Sequence, residues 1–351
     1  MDAPSRSIER PGSILIVSKN WLGDAVCVTP AIRAIKEAFP SSQVSVLTHP
    51  RCADVYLHNP FVDHIVRFHE RRGVAAFFSL LRLWLLMISG RYDTVFLFHR
   101  SRSKALVAAL AGIGNRIGFD TKGRGIFLTV RAAQPDAGVH MIDHHLRLLE
   151  ECGIPARGRA PVYAVVDEEM TAARLLLSGL GLGDGERYIV INPGGNWERK
   201  RWPCERFAGL ADRLAAAHPC RIVITGGEQD RATAGAIAGL MRTQPVIAAG
   251  RTDLRTLGAV LAGAALYIGN DSGPTHIAAA VGVPVIALFG PTDPALTGPA
   301  GRGSIRVISR SAGCPVPCYN AGCVDYRCIR AVSEEDVLEA ARRILHEYAG
   351  A

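Results

Sequence analysis

Lysine is scarce. Of 40 Lys and Arg in this chain of 351 residues, only Lys19, Lys36, Lys104, Lys122 and Lys200 are Lys. Where composition favours Arg this strongly, a Lys hints at a site suited to a compact ammonium. Also lacking is an apolar run long enough to span a bilayer. The longest, residues 74–89, is interrupted by Arg82 and falls short of the roughly 20 residues a spanning helix needs. With Arg71, Arg72 and Arg91 around it, it fits a half-buried helix, or one dipping into a membrane interface. No secretory signal opens the chain, since "MDAPSRSIERPGS" is polar, which points to the cytoplasm. The paired C-x2-C knuckles of structural zinc sites are missing as well. Cys314, Cys318, Cys323 and Cys328 form C-x3-C-x4-C-x4-C, enough thiols for one structural metal but with irregular spacing. Reduced packing thiols are the expectation for a cytoplasmic chain.

What remains is ample for two domains with sizeable cores. Residues 1–165 carry 21 Lys and Arg against 13 Asp and Glu, whereas residues 166–351 carry 19 of each. The whole net charge of +8 therefore sits in the first half. Such polarity suggests a domain that meets an anionic partner, or simply an Arg-rich solvated surface.

Apolar β-rich runs alternate with helical patterns, the signature of parallel sheets with crossover helices. Strands are expected at 14–18, 43–47, 63–67 and 94–98, then at 188–192, 221–225, 245–248, 265–268 and 284–288. A looser stretch at about 155–187 divides the two series. The expected organisation is α/β: a Rossmann-like domain over 12–168, a second over 169–332, and a C-terminal helix over 333–351 that packs back on the first. Doubly wound sheets bind ligands at the carboxyl ends of their strands, so the loops after the strands carry the function.

The loop after the first strand, "SKNWLGDAV", lacks the G-x-G-x-x-G fingerprint of dinucleotide binding. Its Asp24 is either a helix N-cap or a carboxylate placed to take a proton from a substrate hydroxyl. In "NPGGNWERKRW", Gly194 and Gly195 let backbone approach a ligand closely. Lys200 there is either part of a solvated turn or an ammonium facing an anion. "TGGEQDRA" places Glu228 where an acid after a Rossmann-type strand contacts a ribose. "GNDSGPTH" brings Asp271, Ser272, Gly273 and His276 to the start of a helix. That is an ordinary capped helix or a cradle for a diphosphate.

Together, "NWLGDAV…TPAIRAIKEAFP", "NPGG…KRWPCERFAGLADRL", "ITGGEQDRA" and "GNDSGPTHIAAAVGVPVIALFGPTDP" resemble glycosyltransferase family 9. Heptosyltransferases of the bacterial lipopolysaccharide inner core are its best-known members. The resemblance covers residue 12 to the C-terminus and implies GT-B architecture, two Rossmann-like domains facing a cleft. It implies inverting transfer without a metal or other cofactor, from a nucleotide-sugar, typically ADP-heptose, to an anionic lipid-linked acceptor at the inner membrane surface. Asp24 matches the family's catalytic base, Lys200 the lysine facing the donor phosphates, and Glu228 the ribose carboxylate. Asp271, Ser272, Gly273 and His276 match the loop holding donor sugar and diphosphate. Gly195 and Asn196 replace the two hydroxyl residues found ahead of the lysine in the transferase that acts first on the core. A nucleotide-sugar 2-epimerase and a non-catalytic nucleotide-sugar binder are the competing readings.

Overall fold

A computed structural model describes residues 11–349 apart from 72, 74 and 136. Arg72, the first residue of the long apolar run and the polar N-terminal segment through residue 10 lie outside the described residues. The chain divides into two compact units, Met1–Val162 and Tyr163–Ala351.

The first unit runs β1 (Ser13–Val17), α1 (Leu22–Ala38), β2 (Gln43–Thr48), β3 (His64–Arg67), α2 (Ala75–Ser89) and β4 (Thr94–Leu97). It continues with α3 (Arg102–Leu110), β5 (Asn115–Phe119), β6 (Val130–Ala132) and α4 (Met141–Glu150). All strand pairs are parallel, in the order β3-β2-β1-β4-β5-β6. β1 and β4 are buried apolar runs because helices cover both faces of such a sheet. In α1, Pro30 cannot donate to the carbonyl of Val26; the Thr29 hydroxyl donates to it instead at 2.7 Å.

In the second unit, α5 (Asp167–Gly179), β7 (Tyr188–Asn192), α6 (Cys204–Ala217), β8 (Arg221–Ile224), α7 (Arg231–Leu240) and β9 (Val246–Ile247) come first. There follow α8 (Leu254–Ala262), β10 (Leu266–Asn270), α9 (Gly273–Val281), β11 (Val285–Phe289), α10 (Pro294–Thr297) and β12 (Ile305–Ser309). Short α11 (Arg327–Arg330) and α12 (Glu334–Ala349) close the chain. The sheet order is β12-β11-β10-β7-β8-β9, again all parallel. Numbered within each unit, both sheets have the order 3-2-1-4-5-6 of the Rossmann fold.

The α/β class is as expected. β5, β6 and β12 are strands that the apolar patterning did not mark. β5 ("NRIGF") opens with two polar residues, β6 has three residues, and β12 is an edge strand with Arg306 and Ser309 exposed. The C-terminal helix, expected to pack on the first domain, instead buries its apolar face in the second unit: α12 places Val337, Leu338, Ala341, Ile344 and Leu345 in that unit's core. Their spacing makes one apolar stripe, and that stripe packs against α6.

Candidate active site

In a 3-2-1-4-5-6 sheet the first and fourth strands run side by side with their crossovers leaving in opposite directions, which opens a crevice beyond their carboxyl ends. In the first unit that point lies between β1 and β4, and in the second between β7 and β10.

At the first point stand Lys19, Asp24, His99 and Arg100. Asp24 is the third residue of α1, whose N-cap is Trp21. Asp24 is therefore not the N-cap, and its charge is favoured by the positive end of the helix. Burial lowers the Lys19 pKa, the Asp24 carboxylate opposes that shift, and Arg100 and Arg124 reinforce it. Arg124 is fully buried, and burial pulls it down to about 10. Its guanidinium donates to the carbonyls of Phe119 (2.7 Å), His99 (2.5 Å) and Leu97 (3.4 Å). It thus ties the end of β4 to the end of β5.

Three histidines border this cation cluster, and burial is the main cause of low basicity in each. His99 and His145 are pulled down to about 3, and His144 to about 4, with Lys19 adding to the effect in all three. They are neutral at pH 7. His145 is wholly buried, with Nδ1 3.1 Å from the Cys27 carbonyl oxygen. Its pKa is lower folded than the ordinary value of 6.5, so the unfolded chain binds the extra proton. Its contribution to stability is full above about pH 6.5 and is lost as pH falls toward the folded value. The urea midpoint should therefore drop between pH 7 and 5, and drop less in His145→Gln. Equal slopes for the two proteins would refute this.

At the second point, the 3-10 turn Glu198–Lys200 follows β7. Lys200 Nζ lies 2.5 Å from Asp271 Oδ2, and the same oxygen accepts from the Thr292 hydroxyl at 2.6 Å. Asp271 is only 6% exposed, so the pair is largely removed from water. The Lys200 ammonium also lies 4.9 Å from the centroid of the Trp197 ring. Asn270, the buried last residue of β10, fastens the two loops. Its amide donates to the carbonyls of Pro193 and Gly194 at 2.8 and 3.2 Å, and its oxygen accepts from the Trp202 N–H at 3.1 Å. A Cβ on Gly194 would come within 2.8 Å of Asp230 Oδ2, so any larger residue there would have to displace the Asp230 carboxylate.

Ser272 is the N-cap of α9, with no hydroxyl-to-amide cap bond. Pro274 removes one first-turn donor and the Thr275 N–H donates to the Ser272 carbonyl at 3.2 Å, so the Gly273 amide is an early N–H suited to an anion. His276 is buried within α9. Gly195 accepts from Arg201 Nε through its carbonyl at 3.0 Å, and Asn196 beside it is exposed. Glu228 begins the turn after β8, has a side chain 71% exposed, and pairs with Arg231 at 2.8 Å.

The structure thus gathers Gly195, Asn196, Lys200, Asp271, Ser272 and Gly273 around β7 and β10, and sets Glu228 at the end of the neighbouring β8. Asp24 belongs to the other unit. Thr292, Asn270, Lys19, Arg100 and Arg124 were not picked out from sequence. The scarcity of lysine was a usable signal for Lys19 as well as Lys200.

Cys314, Cys318, Cys323 and Cys328 are all free and line one small cavity with Arg199, Pro291 and Arg327. Burial raises the Cys328 pKa, which favours its thiol form. Among the described residues, no group of three or more His, Cys, Asp or Glu is arranged to hold a metal ion.

Comparison with known proteins converges. Lipopolysaccharide heptosyltransferase 3 of Escherichia coli K12 is 29% identical over 280 residues, covering 77% of this chain and 80% of that protein. Lipopolysaccharide heptosyltransferase 2 of Salmonella typhimurium is 24% identical over 310 residues, covering 86% and 88%. Among solved structures, the family 9 glycosyltransferase of Veillonella parvula superposes with a TM-score of 0.87 at 25% identity, covering 97% of this chain and 99% of that one. These likenesses establish the GT-B class of the two Rossmann-like units. The sequence profile of glycosyltransferase family 9 (heptosyltransferase) matches residues 80–325.

Proposed function

We propose, on the premise that this chain belongs to glycosyltransferase family 9 and is a glycosyltransferase, that it moves a heptose from ADP-heptose to the inner core of a lipopolysaccharide acceptor. The carrying observation is the set of partly exposed Lys200 with buried Asp271 and Thr292 at the switch point of the second sheet. A diphosphate leaving group needs positive charge held in place before the bond breaks. Lys200 supplies a full charge there, and the N-terminus of α9 supplies a partial one. Asp271 on its own would repel phosphate. With Lys200 and Thr292 on its Oδ2 it instead orients the ammonium, and its other oxygen serves a sugar hydroxyl. Ser272 and Gly273 serve the diphosphate with the N-terminus of α9, His276 is buried in that helix's first turn, Gly195 and Asn196 flank the loop, and Glu228 serves the ribose.

On the acceptor side, Asp24 takes the proton as the acceptor oxygen attacks the anomeric carbon. One displacement forms the new glycosidic bond, breaks the bond to ADP and inverts the anomeric centre. Charge on the departing ADP is met by Lys200 and the α9 N-terminus rather than by a divalent cation. Lys19, Arg100 and Arg124 gather cations beside Asp24, which suits an acceptor bearing phosphates and acidic sugars. The place of action is the inner face of the cytoplasmic membrane, with the protein peripheral. Among the described residues, no helix is long and apolar enough to cross it.

The test is incubation of the purified protein with ADP-heptose, with and without a truncated lipopolysaccharide. ADP release that depends on acceptor is expected. Isomerised sugar without acceptor, or no turnover under either condition, would overturn the reading.

A further inference from the structure

α2 is apolar on both sides. Ser79, Leu83 and Met87 are buried, with Leu83 and Met87 in the core of the first unit. The opposite side carries Phe77 and Phe78, which are 68% and 66% exposed, and exposed Leu81, Leu85 and Ile88. Positions 77, 81, 85 and 88 form one stripe along the helix. Leu110, the exposed last residue of α3, extends it, since the Trp84 indole N–H of α2 donates to the Leu110 carbonyl at 3.1 Å. An exposed apolar patch of this kind on a soluble unit marks a contact surface.

The charges around it narrow the partner. α2 contains no Asp or Glu, and its one charge is exposed Arg82, on the edge of the stripe. Exposed Arg71 precedes the helix and exposed Arg91 follows it. The flanking acids are already engaged: Glu70 pairs with buried Lys104 at 3.5 Å, and Asp93 accepts from the Gly12 and Ser13 amides at 2.7 and 3.1 Å. An apolar face with a cationic rim is complementary to a surface that is apolar below and anionic above. A second copy meeting this face across a two-fold axis would set arginines against arginines.

We propose that the outer face of α2 docks on an anionic lipid bilayer. Phe77, Phe78, Leu81, Leu85 and Ile88 enter the headgroup–acyl boundary, while Arg71, Arg82 and Arg91 meet lipid phosphates. This deepens the reading of a membrane-borne acceptor, on which it rests, by naming the surface that brings the enzyme to it.

The experiment is co-sedimentation of the full chain with phosphatidylcholine vesicles, with or without phosphatidylglycerol, none carrying saccharide. Wild type should bind the anionic vesicles about tenfold better than the neutral ones, and high salt should weaken that binding. Phe78→Glu/Leu85→Glu should lose about tenfold or more of the binding, and Arg82→Glu should lose most of the preference for phosphatidylglycerol. Circular dichroism and the urea midpoint check that both variants fold. If the double variant does not fold, Arg82→Glu together with the wild-type lipid preference decides. Absence of wild-type binding, or equal binding by the folded variants, would overturn the proposal. So would a concentration-dependent dimer, lost in the double variant, with no vesicle binding. Transfer to a lipid-free acceptor is measured separately. Its failure would sink the transfer reading and leave vesicle binding standing, and the reverse result would leave transfer standing.

Discussion

Asp24→Asn is expected to lower kcat by about 10²–10⁴-fold, the usual contribution of a positioned general base. Affinity for the nucleotide-sugar, measured by calorimetry, should stay within about twofold, because the proposed donor contacts belong to the second unit and Asp24 to the first. Asn keeps the shape of Asp and its place in the first turn of α1, so the change is chiefly loss of the proton acceptor. It has a second electrostatic consequence. Asp24 raises the pKa of Lys19 against burial and two arginines. Without the carboxylate Lys19 drops further and carries its charge less fully. Acceptor KM should therefore rise in Asp24→Asn, more at high pH than at low. Lys19→Met with Asp24 intact separates the two effects: it should raise acceptor KM while sparing most of kcat. Turnover at the wild-type rate in Asp24→Asn would remove Asp24 as the base.

Why part of this site was legible and part was not follows from where the residues sit in the chain. Lys200, Asp271, Ser272 and Gly273 lie in two loops that each follow a strand buried along its whole length. Such strands announce themselves as apolar runs, and the polar residues just beyond them fall at the ligand-binding edge of the sheet. The cation cluster of the first unit is different. Lys19, Arg100 and Arg124 come from beyond β1, beyond β4 and beyond β5, and only the order β1-β4-β5 makes them neighbours. Composition showed that the first half was basic but not where the charge converges. Thr292 is a similar case: it follows β11, and adjacency of β10 and β11 puts its hydroxyl on Asp271. The outer face of α2 was hidden for another reason. A run that is apolar all round does not reveal which side the sheet covers, and burial alone separates Leu83 from Leu85.

Removing Lys200 should be nearly as damaging as removing Asp24, with a different signature. Lys200→Ala is expected to lower kcat by about 10²–10³-fold, the scale for loss of one preorganised charge at a developing anion. It should also weaken ADP binding, since part of the same charge is felt by the diphosphate before reaction. Lys200→Arg should restore only part, because the ammonium lies in a confined place between Asp271 and the Trp197 ring, where a planar guanidinium presents its donors differently. Stability responds too. Asp271 loses the cation on Oδ2 but keeps the Thr292 hydroxyl, and Lys200 is partly open to water. The cost should therefore be about 1–2 kcal/mol, below that of breaking a fully buried pair. Activity measured well below the unfolding midpoint separates this cost from the chemical loss. The double variant Lys200→Ala/Asp271→Asn tests whether Asp271 acts through Lys200. If it does, the double variant should be little slower than Lys200→Ala alone. Fully multiplicative losses would instead make the sugar-hydroxyl contact the only role of Asp271, and wild-type kcat and ADP affinity in Lys200→Ala would refute the diphosphate role outright.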